Sequence, residues 1–236
     1  MASIDQNTRM ARATGFELCS LAFLLPQKST GEALASGEFA AAADEVLSAL
    51  DADEALREGV AGELSGYAGA DAEDAFHEIR REYTRLFVGE REPLVTPFAG
   101  VRHSQAKGQK GLLFVGEESV AIEHFIKRCG LRKDLEAGQT NDPLDHVGTM
   151  CEFMKYLCLV AAEAIAAPAG ARIEPGDYEA FRAEHFEPYV RWCAAQAGEL
   201  SRIPFYRAMA QMLAFMANQA GRVPASGAEN AGASAE

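Results

Sequence analysis

The segment DPLDHVGTMCEFMKYLCL, residues 142–159, has the pattern of a long helix that anchors the predicted fold. Asp142 is a residue type that caps helices, and Pro143 suits the first helical position because its missing N–H is not needed there. Asp145 follows three residues after the cap, as the acidic member of a capping box does, and the helix dipole favours both carboxylates. The pattern predicts a helix that begins at Asp142 and carries His146 at an acidic mouth. Its core side is predicted from apolar residues at helical spacing, namely Leu144, Val147, Cys151, Met154 and Cys158.

The remainder of the chain also favours helices. It has 236 residues, enough to bury a sizeable core, and no stretch reads convincingly as a strand. The sequence therefore predicts an all-α, single-domain bundle of about ten helices. We expect a flexible N-terminus at 1–7, the helical domain at 8–220, a candidate hinge at 131–141 and a disordered tail at 221–236. Predicted helices cover about 8–25, two or three short stretches within 29–68, 71–89, 117–129, 142–167, 177–184, a segment restarting at Pro188, and a last helix capped by Ser201.

The connection between Gly89 and Gly116 is unusually long for a compact domain. Its prolines and glycines leave little room for a long helix, and connections of this length are usually functional or disordered. Apolar residues along it, including Leu94 and Phe98, favour an ordered segment that packs against the bundle. We therefore interpret this connection as an ordered functional loop.

Charge and cysteine usage narrow the classes of function. The net charge of −13 disfavours nucleic acid as a partner and favours a basic one. Five cysteines, an odd number without C-x-x-C spacing, are interpreted as buried thiols, and no metal-binding pattern is present. Neither a secretory signal nor an apolar run long enough to span a membrane is seen. These features predict a cytoplasmic protein with no metal, no cofactor and no stable membrane insertion.

Catalysis is the weaker interpretation of the polar residues. Asp145 and His146 have the chemistry of a general acid–base pair. Adjacent helical residues point about 100° apart, however, so they do not naturally hydrogen-bond to each other. No nucleophile turn or phosphate-binding glycine motif occurs in the required context. We therefore predict that these residues bind or cap, and that the protein is not an enzyme.

Three segments together carry a family resemblance. Residues 142–146, Asp-Pro-Leu-Asp-His, followed by Glu-Phe-Met at 152–154, resemble the signature of the TorD/DmsD/NarJ-type chaperones that mature molybdoenzymes. Upstream, residues 83–89, Tyr-Thr-Arg-Leu-Phe-Val-Gly, are similar to the Tyr-x-x-Leu-Phe-x-Gly helix end of that family, and Pro97-Phe98 follows it. Downstream, His185 to Tyr189 and residues 204–206, Pro-Phe-Tyr, resemble two further landmarks. The ordered set covers about residues 10–220.

The resemblance implies a concrete function. Members of this family bind the N-terminal twin-arginine signal of a molybdoenzyme catalytic subunit in the cytoplasm and hold that subunit until its molybdopterin cofactor is inserted. It implies a monomer or a helix-swapped homodimer. By this resemblance Asp142 and Asp145 would pair with the arginines and His146 would hydrogen-bond beside them. The apolar groove would be formed by Phe87, Leu94, Pro97, Phe98 and Pro143.

Two points remain open at the level of sequence. The alternative function is a helical adaptor or regulator that binds another basic amphipathic peptide and has no role in cofactor insertion. In addition, Arg102, His103, Lys107 and Lys110 form a basic cluster close to a site that is expected to meet arginines. This cluster either faces away from that site or serves an acidic patch on the body of the client enzyme.

Overall fold

The described residues form a bundle of α-helices. The computed structural model describes residues 5–110, 116–132 and 143–219, and within these ranges the only β-type pairing is one isolated bridge. The predicted all-α fold class is confirmed. The helices are α1 (Gln6–Phe23), α2 (Lys28–Ser36), α3 (Glu38–Ala49), α4 (Glu54–Leu64), α5 (Ala72–Tyr83), α6 (Ala99–Ala106), α7 (Glu117–Arg128), α8 (Val147–Ala161), α9 (Asp177–Phe181), α10 (Glu187–Leu200) and α11 (Pro204–Ala217).

Helix α1 lies at the centre of the bundle. It packs most extensively against α8 and also contacts α3 and α11, while α10 pairs with α11 and α2 with α5. Phe16 and Phe23 of α1 are fully buried, and the Phe23 ring meets those of Phe87 and Tyr206 edge-on. Helix α1 is apolar on nearly all sides because other helices pack against it from several directions.

Two π-helical turns interrupt the regular helices. The first, Thr84–Val88, follows α5, and the second, Arg182–Phe186, joins α9 to α10. The first turn is fixed by Glu82, whose carboxylate accepts hydrogen bonds from Arg85 and, at 2.6 Å, from the backbone N–H of Arg202. Burial disfavours the charged form of Glu82, but these hydrogen bonds outweigh it and lower the pKa of the carboxyl group. The end of α5 is thus tied to the connection between α10 and α11.

The start and end of α8 differ from the sequence prediction. The helix begins at Val147 instead of Asp142, because the N–H of His146 donates to the carbonyl of Pro143 in a turn and His146 itself is the N-cap. It ends at Ala161 instead of about residue 167. There Glu163 takes a positive φ of 58° and the N–H of Ala164 donates to the carbonyl of Leu159, which closes the helix.

Three other boundaries need correction. The long connection contains a helix, α6, which the sequence analysis did not predict. Ser201 is not the cap of the last helix, because Ile203 precedes Pro204 there and the Ser201 hydroxyl accepts the N–H of Ile203. Helix α1 begins at Gln6, because the carboxylate of Asp5 caps it by accepting the N–H of Thr8 at 2.8 Å.

Some predictions fall on residues that the structure does not describe. The candidate hinge at 131–141 lies outside the described residues except for its first two positions, and so does the tail at 221–236. Asp142 also lies outside them. Within the three described ranges, no helix has the length and hydropathy that crossing a bilayer requires.

Candidate functional site

Two chain segments meet beside the start of α8, and we call this contact the crossing (residues 97–100 against 145–148). The N–H of Val147 donates to the carbonyl of Pro97 at 2.8 Å, and the N–H of Ala99 donates to the carbonyl of Asp145 at 3.0 Å. These two bonds form the isolated antiparallel bridge between Phe98 and His146, whose rings also meet edge-on with centroids 5.3 Å apart. Residues about 50 positions apart in sequence are thereby fixed side by side.

The side chain of Asp145 holds the crossing together from the inside. The residue is 2% exposed, and its Oδ2 accepts the N–H of Gly100 at 2.9 Å and the hydroxyl of Ser119 at 2.7 Å. Only glycine fits at position 100, because a Cβ there would overlap the Ser119 hydroxyl. One carboxylate therefore connects α6, α7 and the segment before α8. Its second oxygen, Oδ1, is buried and has no hydrogen-bond partner among the described residues.

His146 is the N-cap of α8 and is also 2% exposed. Its Nδ1 accepts the N–H of Gly148 at 3.2 Å, so the neutral ring carries its proton on Nε2. That nitrogen lies 3.4 Å from the hydroxyl of Tyr83 at the end of α5. His146 thus links α8 to α5, whereas Asp145 links to α6 and α7. No hydrogen bond joins the two side chains within the described residues, and neither is open to a substrate.

The segment that precedes the crossing is anchored at successive residues. The N–H of Val95 donates to the carbonyl of Leu86 at 2.9 Å, and the hydroxyl of Tyr189 donates to the carbonyl of Thr96 at 2.9 Å. Burial raises the pKa of the Tyr189 hydroxyl well above its ordinary value, so this group stays a donor. Nearby, the guanidinium of Arg102 lies 4.5 Å from the ring centroid of Trp192 and joins α6 to α10.

The outer side of the same segment exposes apolar side chains. Gly89, with φ of 67°, ends the π-helical turn and starts a tight turn that continues to Pro93. Val88 is 53% exposed just before this turn, and Leu94 is 50% exposed just after it. Phe98 follows and is half-buried. We call Val88, Leu94 and Phe98 the apolar rim. Two exposed carboxylates, Glu90 and Glu92, lie between Val88 and Leu94.

The predicted site residues separate into three groups. Pro97, Phe98, Pro143, Asp145 and His146 do come together at or beside the crossing. Leu94 lies on the exposed side of the same segment, whereas Asp142 is outside the described residues. Phe87 lies in the core, where its ring contacts those of Phe23, Tyr83 and Tyr206.

The expectation that Asp145 and His146 lie accessible beside an open groove is wrong for this structure. Both side chains are buried because they contact residues that are distant in sequence. Asp145 bonds to Gly100 and Ser119, and His146 lies next to the Tyr83 hydroxyl. Pro97 and Pro143 are buried as well. Their contribution to peptide binding stays a prediction, and the accessible surface at this site includes the apolar rim and the turn that carries Glu90, Arg91 and Glu92.

Sequence reasoning missed the partners of Asp145. Ser119 stands in the first turn of α7, 26 residues before Asp145, and nothing in its local sequence marks it as a partner. Gly100 was visible only as one glycine among several in the long connection. In the described part of the chain, no group of three or more His, Cys, Asp or Glu residues is placed to hold a metal ion.

The fold and the crossing define an all-helical protein whose buried polar groups hold chain segments together and whose nearby surface is apolar and acidic. A family model described as "Nitrate reductase delta subunit" matches residues 39–195, which is more than half of the chain. The chain belongs to this family, a family of chaperones that mature molybdoenzymes and not a catalytic one. The matched range includes the crossing and the rim but not α1 or α11. A search of curated proteins gave no match.

Proposed function

We propose that this protein binds the N-terminal leader of a molybdopterin-containing oxidoreductase and holds that subunit for cofactor insertion. The bound segment is a twin-arginine signal region, and binding takes place in the cytoplasm before export or assembly. The observation that carries this proposal is the apolar rim with Glu90 and Glu92 between its members, beside the crossing of a maturation chaperone.

The rim suits the apolar body of such a leader. A twin-arginine leader has a basic head followed by an apolar stretch that is able to form a helix. Among the described residues only six large hydrophobic side chains are well exposed, and two of them, Val88 and Leu94, flank one turn. Exposed apolar side chains on either side of one turn favour a binding site for an apolar helix face.

The carboxylates beside the rim suit the basic head. Glu90 and Glu92 are exposed and reach solvent without any rearrangement of the crossing. Arginine is favoured over lysine where carboxylates pair with both arms of a guanidinium. Asp145 becomes a second partner only if the crossing opens, and its Oδ1 then gains the donor that it lacks when buried. The net charge of −13 attracts a basic leader at long range.

The test is a calorimetric titration with synthetic leader peptides that carry either two arginines or two lysines, at low and physiological salt. We predict tighter binding of the twin-arginine peptide and weaker binding of both at the higher salt. The double variant Glu90→Gln/Glu92→Gln should lose most of the discrimination. Glu45→Gln/Glu58→Gln, which removes two exposed carboxylates on α3 and α4, should retain it.

Two other outcomes have distinct meanings. Binding of both peptides with equal affinity would favour the adaptor that recognises any basic amphipathic peptide. Failure of both peptides to bind at high protein concentration would contradict the proposal and the adaptor alternative alike.

A further inference from the structure

Three of the four residues of the basic cluster seen in the sequence line a cavity at the C-terminal end of α6. The cavity has a volume of about 320 Å³ and lies between the C-terminal end of α6 and the N-terminal end of α7. His103, Lys107 and Lys110 line it, together with Ser104 and Gly116. In a protein of net charge −13, this is a local concentration of positive side chains.

The cavity offers hydrogen-bond donors that suit an anion. Ser104 is only 9% exposed, yet none of the hydrogen bonds between described residues uses its hydroxyl. Gly116 is the N-cap of α7 and offers no side chain to the first turn, so the N–H groups there have no side-chain cap. A buried hydroxyl and backbone donors therefore face the same space as the lysines.

One carboxylate already occupies part of this space. Glu117 lines the cavity, and its carboxylate lies 3.5 Å from the Nζ of Lys107. The Glu117 side chain is 91% exposed and that of Lys107 is 49% exposed, so this contact is weak and easily displaced. This contact shows that Lys107 donates to a carboxylate. Because the described residues of the lining include no arginine, they offer no planar fork of the kind that favours bidentate phosphate recognition.

The cavity is also physically connected to the crossing. A Cβ on Gly116 would lie 3.6 Å from Ser104 Oγ and 3.7 Å from Ser119 Oγ, so these three residues are close neighbours. Ser119 donates to Asp145, which holds the crossing. A group bound in the cavity would therefore contact the same turn of α7 that fixes Asp145.

We propose that this cavity binds an acidic segment, with two or more carboxylates, on the body of the client polypeptide. The inference rests on the proposed function, because the client is the chain whose leader binds at the apolar rim. The two surfaces differ in charge and lie near opposite ends of α6, because Phe98 of the apolar rim is the N-cap of this helix and the cavity lies at its C-terminal end. An acidic segment would be repelled elsewhere by the net charge and would dock at this cavity, which fixes the orientation of the client relative to the bound leader.

The test titrates the 236-residue chain with N-acetylated, C-amidated hexaglutamate at about 0.15 M salt. Binding is monitored through the amide chemical shifts of the protein in NMR spectra. At this ionic strength the long-range repulsion is largely screened while direct contacts persist. We predict saturable shifts at residues 103–107 and 116–119. The fluorescence of Trp192, the single tryptophan, provides a second signal because Arg102 of α6 stacks on it.

Variants give the matched comparisons. Lys107→Gln/Lys110→Gln should weaken hexaglutamate binding by roughly tenfold, since two ion pairs are lost. Lys28→Gln/Lys127→Gln makes the same charge change on α2 and the far end of α7 and should not weaken it. Glu117→Gln should bind hexaglutamate more tightly than the wild type, because Lys107 is released.

The outcomes separate this inference from the proposed function. The Lys107→Gln/Lys110→Gln variant should still bind the twin-arginine leader, so loss of hexaglutamate binding alone is attributable to the cavity. Absence of saturable shifts with hexaglutamate, or equal affinity in both lysine variants, would overturn the inference while leaving leader binding intact. Shifts at the cavity with inorganic phosphate but not with hexaglutamate would also overturn it.

Discussion

Residues 86–98 form hydrogen bonds to neighbouring helices on their inner side, whereas their outer side exposes apolar side chains. On the inner side, the backbone of Val95 bonds to Leu86 in the π-helical turn, that of Thr96 to Tyr189 of α10, and that of Pro97 to Val147 of α8. The ring of Phe87 packs in the core on this side. On the outer side, Val88 and Leu94 remain half exposed and contribute little to stability. The same short segment is therefore rigidly held on one face and free for contact on the other.

This difference separates the buried residues of the family motif from the exposed residues of the apolar rim. Asp145 and His146, the residues that define the motif most clearly, lie on the inner side with the crossing. Leu94 and Val88, which carry no motif of their own, form the outer surface. A rigidly positioned segment loses little conformational entropy when a ligand binds to it. We infer that the motif holds the rim in place and that the rim makes the first contact with the client.

The largest expected effect is on the inner side, at Asp145. Asp145→Ala leaves the Gly100 N–H and the Ser119 hydroxyl without their buried acceptor, so the free energy of unfolding should fall by roughly 3 kcal/mol. Asp145→Asn keeps one acceptor oxygen and should lose about 1–2 kcal/mol. Urea denaturation with unchanged slope measures both values. If Asp145→Ala unfolded at the wild-type urea concentration, the carboxylate would not hold the crossing.

A smaller, pH-dependent effect is expected at Glu82. Its pKa is lowered in the folded protein, so its contribution to stability is present above the unfolded pKa of about 4.3 and is lost as the pH falls through the folded value. Glu82→Gln should lower the free energy of unfolding by about 1–2 kcal/mol at pH 7, and the difference from wild type should shrink below about pH 4. Denaturation curves across this pH range provide the measurement.

The control for Glu82 lies on the same helix. Glu73 pairs with Lys28 on the surface, where both side chains are more than half exposed. Glu73→Gln should therefore change the stability very little at any pH. A pH-independent difference between wild type and Glu82→Gln would contradict the role assigned to the Glu82 charge.

Local patterns in the sequence predicted the elements whose signals are local. Asp71 caps α5 as expected, its carboxylate accepting the N–H groups of Glu73 and Asp74. Gly89 ends the helical stretch with a positive φ, also as expected. The apolar stripe of α11 is buried from Phe205 to Met216. In each case the decisive contacts lie within one or two helical turns, so periodicity and capping rules are sufficient.

The start of α8 and the character of the site were not predictable in this way. Asp145 was predicted as the acidic member of a capping box that begins at Asp142, but it bonds to Gly100 and Ser119, which are 45 and 26 residues away in sequence. His146 takes the capping position instead. Tertiary partners overrode a local preference worth about 1 kcal/mol. The motif correctly indicated where chain segments meet, whereas burial of its polar residues depended on contacts that a single sequence does not reveal.

The smallest expected effect on stability, and the most direct test of the central claim, is at the apolar rim. Val88→Ser/Leu94→Ser should change the free energy of unfolding by less than about 1 kcal/mol, since both side chains are half exposed. The control Ile165→Ser replaces a side chain that is 41% exposed and lies outside the helices. The decisive measurement is calorimetric titration of these variants with the twin-arginine leader peptide. At least about tenfold weaker binding by the rim variant, with wild-type affinity in the control, is predicted; wild-type affinity in the rim variant would contradict the account.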